Sequence, residues 1–209
     1  MNRVFSYLVI ATMFFVACNK NEQTSDNSFV LVMEDANLNI SGEVHTTVNV
    51  ATVKAKMNAI KPGGILVDNE IASANFENGG FKLSIPETFP DEYLGSMYEI
   101  FNIFSQAGIT VSDRQVKTGD IWLYAYDDAG NYVGNFELVA DECDTQLMFS
   151  DRKFTVKGIF NNGSTMDCSY HKGLNIEYIP WTEIHHLTTD KPLNKEFRWI
   201  FKLPPTTGF

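Results

Sequence analysis

An all-β fold, an antiparallel β-sandwich of immunoglobulin or transthyretin type with one or two short helical turns, is the class this sequence predicts. Short runs rich in Val, Ile, Phe and Tyr recur from Phe29 onward, separated by Gly, Asn, Asp and Pro clusters at the spacing of antiparallel strands. Asn78-Gly79-Gly80 and Asp128-Ala129-Gly130-Asn131 supply the positive-φ positions that hairpins require. Helical periodicity is best in the segment 91–104, where Tyr93, Leu94, Met97, Ile100, Phe101 and Phe104 recur at helix spacing and Gly95 weakens the pattern.

Taken in order, residues 1–17 read as a secretory signal: Arg3 is a minimal positive region, Val4 to Val16 is apolar, and Ala17 precedes the cut. The run is shorter than the ~20 apolar residues that span a bilayer. Val16-Ala17-Cys18 resembles the lipobox of bacterial lipoproteins, with Phe15 in place of the usual Leu. Cleavage before Cys18 and acylation of its thiol are therefore expected, and more than one acyl chain gives a stable membrane anchor. Residues 18–28 are expected to form the lipidated tether, because Asn19 to Ser28 contains no apolar side chain. Residues 29–209 then form the sandwich domain, with a seam expected near Pro90. Within it the spacing predicts strands at 29–34, 37–46, 52–58, 71–76, 80–85, 120–126, 132–139, 146–150, 153–160, 165–170, 174–179 and 196–202.

The 209-residue chain has a formal net charge of −10, and loss of residues 1–17 removes one basic residue, Arg3, leaving −11. No Lys/Arg run is present, so a phosphate backbone finds little to bind and nucleic acid is not an expected partner. At 44% apolar residues the chain has ample material for a core.

The phrases Asn75 to Pro86 (NFENGGFKLSIP), Tyr124 to Phe136 (YAYDDAGNYVGNF) and Ser169 to Tyr178 (SYHKGLNIEY), with the terminal Phe197-Arg198-Trp199-Ile200-Phe201, resemble small Bacteroidales cell-envelope lipoproteins with β-sandwich domains. The resemblance implies an outer-membrane lipoprotein, displayed at the surface or facing the periplasm. It brings no catalytic residues with it.

Chemistry-bearing residues are few. With Cys18 lipidated, Cys143 and Cys168 remain, and in an exported protein they could form a disulfide or stay unpaired. A bridge closing this loop of about 26 residues would contribute roughly 3 kcal/mol. Alternation with Met166 and Tyr170 turns Cys168 inward. Glu183 and His185 share a strand face and offer two ligand types, but a third ligand at defined spacing is missing. Asp127-Asp128 and Asp141-Glu142-Asp144 lack the alternating-oxygen spacing of a calcium loop and read as solvated turns. There is no HExxH, GxSxG, P-loop or dinucleotide fingerprint, and no cofactor is expected.

The aromatic pattern is what suggests a binding surface. In Ile121-Trp122-Leu123-Tyr124-Ala125-Tyr126, alternation puts Trp122, Tyr124 and Tyr126 on one face and the aliphatic residues on the other. Either the three rings form an outer platform for a glycan or a protein partner, or this strand is central and covered on both sides, for instance by 91–104. The expected function is accordingly a non-catalytic binding or assembly module anchored at Cys18. The alternative is a lipid-anchored hydrolase of glycan or peptide, whose carboxylate pair would come from different strands.

Overall fold

A computed structural model describes residues 28–33, 48–61, 64–103, 108–182 and 186–204. Its elements are β1 (Ser28–Met33), β2 (Thr52–Lys61), β3 (Ile65–Asn75), β4 (Phe81–Pro86), a 3-10 turn at Asp91–Tyr93, β5 (Gly95–Ser96), α1 (Met97–Ile103), β6 (Ile109–Val111), β7 (Lys117–Tyr126), β8 (Tyr132–Ala140), β9 (Cys143–Ser150), β10 (Phe154–Ile159), β11 (Thr165–Tyr170), β12 (Gly173–Pro180), β13 (His186–Thr188) and β14 (Arg198–Lys202). The fold is all-β and sandwich-like, as predicted. The Cys18 site, the tether up to Asn27 and the strand predicted at 37–46 lie outside the described residues.

Two layers enclose the main core. The smaller is the antiparallel ribbon β1–β4, which sets Leu31 opposite Leu83 and Met33 opposite Phe81. Strict alternation in β4 buries Phe81, Leu83 and Ile85 while Lys82 and Ser84 face water. The larger layer is a sheet in the order β3-β2-β7-β8-β9-β12-β13-β11-β10-β6, with β14 added to β8 and β5 to β7. Val53, Ala55, Ile121, Leu123, Leu147 and Phe149 of this sheet close over the ribbon. Strands on both sides of Pro90 belong to this one sheet, since β2 pairs with β7 from Thr52↔Tyr126 to Asn58↔Asp120.

A second core lies on the other side of β9. Leu147 and Phe149 join the first core, whereas Met148 between them packs with Met97, Val116, Phe154, Val156, Met166, Cys168 and Tyr170. The sheet therefore curls so that β10 and β11 cover β9 and β12. One junction in it is parallel, β11 with β13, where an antiparallel sandwich was expected throughout.

The segment 91–104 is only partly helical. Leu94 ends the 3-10 turn in an extended conformation, Gly95 and Ser96 pair with Thr118 and Lys117, and the helix starts at Met97. A side chain at Gly95 would meet the Ile60 carbonyl oxygen at 2.2 Å, so close backbone approach fixes both the glycine and the interruption.

Candidate functional site

The outward face of β7 is the candidate site. Ile121, Leu123 and Ala125 are buried in the main core, which leaves Asp120, Trp122, Tyr124 and Tyr126 on the opposite face. Trp122 is 38% exposed on that face, Tyr124 and Tyr126 are half-buried, and Met97 of α1 joins the second core. The three rings do not form a bare platform, however. Across the β7–β8 hairpin Tyr132 stands opposite Tyr126 and is 40% exposed, and its ring meets Tyr124 and Tyr126 edge-on at 5.8 and 6.2 Å. Its hydroxyl donates to Asn135 Oδ1 at 2.9 Å.

The neighbouring strand supplies charge. Lys54 and Lys56 lie on the same face of β2 and extend diagonally, their ammonium groups each 5.2 Å from the ring centres of Tyr126 and Tyr124 respectively. Glu70 holds Lys54 and Asp68 holds Lys56, both at 2.9 Å, from edge strand β3. The Asp68 hydrogen bond pushes the Lys56 pKa above its ordinary value, so the cation is retained. Exposed cation–π contacts contribute about 0.5–1 kcal/mol each, enough to fix the rings of Tyr124 and Tyr126. Trp122 is left as the most exposed ring of β7.

Below Trp122 the face turns from aromatic to acidic. Asp120, half-buried and opposite Asn58 of β2, bonds Gln146 of β9, and burial raises its pKa to about 6. Gln146 in turn stands opposite Glu177 of β12. Glu177 is only 6% exposed, its pKa pushed up to about 7 by burial, and Tyr170 donates its hydroxyl to Glu177 Oε1 at 2.5 Å. The Asp120 charge adds repulsion to that shift. Two carboxyls are thus brought together from different strands. Glu177 belongs to the second core and not to the surface.

At the other end of the strip, beyond Tyr126, a cavity of about 650 Å³ opens between the β7–β8 turn and the ends of β2 and β3. Tyr126 and Lys54 line it from the aromatic face, Asn75 and Glu77 from one hairpin, and Asn49 and Asp128 close it. Asn49 Nδ2 donates to Asp128 Oδ2 at 2.5 Å, and Asn75 Nδ2 to Glu77 Oε1 at 3.1 Å. Asp127 serves the turn itself: the Asn131 side chain donates to its Oδ2, and the backbone N–H groups of Asn131 and Ala129 donate to its Oδ1, which together hold its carboxyl below the usual range.

The remaining sequence candidates stand apart from this face. Cys143 and Cys168 are free and buried, a correction to the possible disulfide. Cys143 packs with Ala140 and Tyr178, whereas Cys168 lies in the second core beside Tyr170, where burial raises its pKa to about 12. Trp181 is 60% exposed near the far end of β9, its indole N–H donating to Asp144 Oδ2 at 2.8 Å. Glu183 and His185 lie outside the described residues, and among the described residues no group of His, Cys, Asp and Glu could hold a metal ion.

Tyr132, Lys54, Lys56 and Asp120 were not singled out in the sequence. Alternation in Val53-Lys54-Ala55-Lys56-Met57 carried a signal for the lysines, and the β7–β8 hairpin register carried one for Tyr132. Comparisons with family models, with curated proteins and with solved structures find no match to this chain. Fold and site define its class: an all-β, sandwich-like protein with an aromatic outer face.

Proposed function

We propose that this chain is a non-catalytic carbohydrate-binding module of the cell envelope, anchored through lipid on Cys18 and presenting the Trp122, Tyr124 and Tyr126 face. One observation carries the reading. An exposed indole stands in a row with three tyrosines, and fixed carboxylates, amides and ammonium groups flank that row. Rings offer apolar contact to sugar faces, while the flanking groups match hydroxyls that both donate and accept. A hydrolase of glycan would require two carboxyls facing one substrate space. Glu177, hydrogen-bonded by Tyr170 and buried, favours a structural role for the acidic pair.

The binding test is a glycan array probed with wild type and Trp122→Ala. Loss of a hot-spot ring removes ~2 kcal/mol or more of binding energy, so array signal should vanish. The melting temperature should fall by clearly less than the loss of a fully buried ring would cause, because the ring is 38% exposed. A large drop in melting temperature would make Trp122 a structural residue and remove the reading. The anchor is tested separately by metabolic palmitate labelling of wild type and Cys18→Ala in the native host. Equal label on both would refute it.

A further inference from the structure

The cavity beyond Tyr126 carries an inference that rests on the carbohydrate reading and narrows it. We propose that this cavity receives the terminal sugar of a glycan chain lying along the aromatic strip, and that it selects an uncharged, hydroxyl-rich terminus over an anionic one.

Position is the first support. Tyr126 and Lys54 belong both to the strip and to the cavity wall, so a ligand leaving Trp122 along β7 meets the cavity without crossing another element. Alternate strand residues stand about 6.8 Å apart along the strand, so the strip from Trp122 to Tyr126 spans about 14 Å, room for several sugar rings before the cavity begins. At about 650 Å³ the cavity falls within the size range of small-molecule sites.

The donor and acceptor pattern is the second support. Two amide–carboxylate pairs, Asn49 with Asp128 and Asn75 with Glu77, come from different segments and line the same space. A carboxylate has about four lone-pair sites and an amide two N–H donors, so each pair keeps capacity beyond its one internal bond. Neighbouring sugar hydroxyls present the complementary set, donating to the carboxylate and accepting from the amide. Tyr126 adds an apolar wall.

Charge sets the selectivity. Asp127, Asp128 and Glu77 line the cavity, and the one cation there, Lys54, is already paired with Glu70. A uronate or sulfated terminus would meet like charge, whereas a neutral sugar would not.

The experiment uses the full-length chain in detergent and four neutral probes, the hexaoses of β-1,4-glucose, β-1,4-mannose, β-1,4-galactose and α-1,4-glucose, with the trioses of each. Glu77→Gln/Asp128→Asn removes both charges while leaving oxygens that still accept from Asn75 and Asn49. On the hexaose that wild type binds best, this variant should be about tenfold weaker, the loss of one or two charge-assisted hydrogen bonds. Trp122→Ala should lose the hexaoses and the trioses alike. Wild type should also bind a hexaose oxidised to a uronate at its terminal unit at least tenfold more weakly than the neutral form, a comparison that needs no variant.

Equal binding of the two termini by wild type, or an unchanged hexaose affinity in the double variant, overturns the cavity assignment. If Trp122→Ala still abolishes binding in that case, the strip reading survives. Absence of binding to all eight probes overturns both.

Discussion

The side chain that departs furthest from its expected setting is Glu177. It sits in Asn175-Ile176-Glu177-Tyr178, where alternation alone would give Asn175 and Glu177 to solvent, yet both are buried because β11 covers that face. Asn175 satisfies itself locally, exchanging bonds with the backbone of His171 and donating to Gly173 O. Glu177 relies on Tyr170 and on its own proton. Its pKa of about 7 and that of Asp120 at about 6 both lie above the ordinary carboxyl range of the unfolded chain. Folding therefore favours the protonated forms, and the stability they contribute is full below about pH 4 and is lost as pH rises through about 7. The melting temperature should fall between pH 5 and pH 8 by roughly 5 °C or more. Glu177→Gln keeps an acceptor for Tyr170 without the charge, so it should melt above wild type at pH 8 and lose most of that advantage at pH 5. Parallel pH profiles for the two proteins would contradict this.

Among the elements, the strands whose alternation decides burial were legible and those whose partners are distant were not. β11 occupies the predicted 165–170, with Met166, Cys168 and Tyr170 inward. β3 runs from Ile65, six residues before its predicted start at 71, because Asp68, Asn69 and Glu70 read as a polar break. They are strand residues at a sheet edge, where Asp68 and Glu70 meet the lysines of β2. β6 and β13 are three residues each and exist through pairing with β10 and β11, which no local pattern reveals. Turn chemistry was the readable part, with Asn78 at φ 54°, Gly79 at 76° and Gly130 at 80°. Gly173 shows a different demand: its φ is 101°, and a Cβ there would stand 2.3 Å from Phe29 Cζ of β1. Gly173→Ala should thus combine backbone strain with displacement of the ribbon, costing about 2–4 kcal/mol, whereas Gly130→Ala, with open space around it, should cost only the ~1–2 kcal/mol of a left-handed residue. Urea titration of both variants measures the difference. Equal costs would mean that Phe29 does not lock β1 onto the sheet.

At the scale of the molecule, one curled sheet with a core on each side of β9 explains why two buried thiols coexist without a bridge. Cys143 starts β9 and packs with Ala140 and Tyr178, while Cys168 points from β11 into the core that holds Met148. Each is sealed from solvent, and burial raises both thiol pKa values, so little reactive thiolate forms at neutral pH. The chain is held together without a covalent staple by the two apolar clusters and the ribbon, pinned where the Trp199 indole of β14 donates to Val32 O at 3.1 Å. A chain held this way should keep its melting temperature in reducing agent. Thiol reagent at pH 8 should leave Cys143 and Cys168 of the native protein unmodified over minutes and, after unfolding in guanidinium without reductant, should react with both of them. Absence of reactive thiol at Cys143 and Cys168 in the unfolded chain, with a melting temperature lowered by reductant, would show a Cys143–Cys168 bridge and require β9 and β11 to approach each other differently.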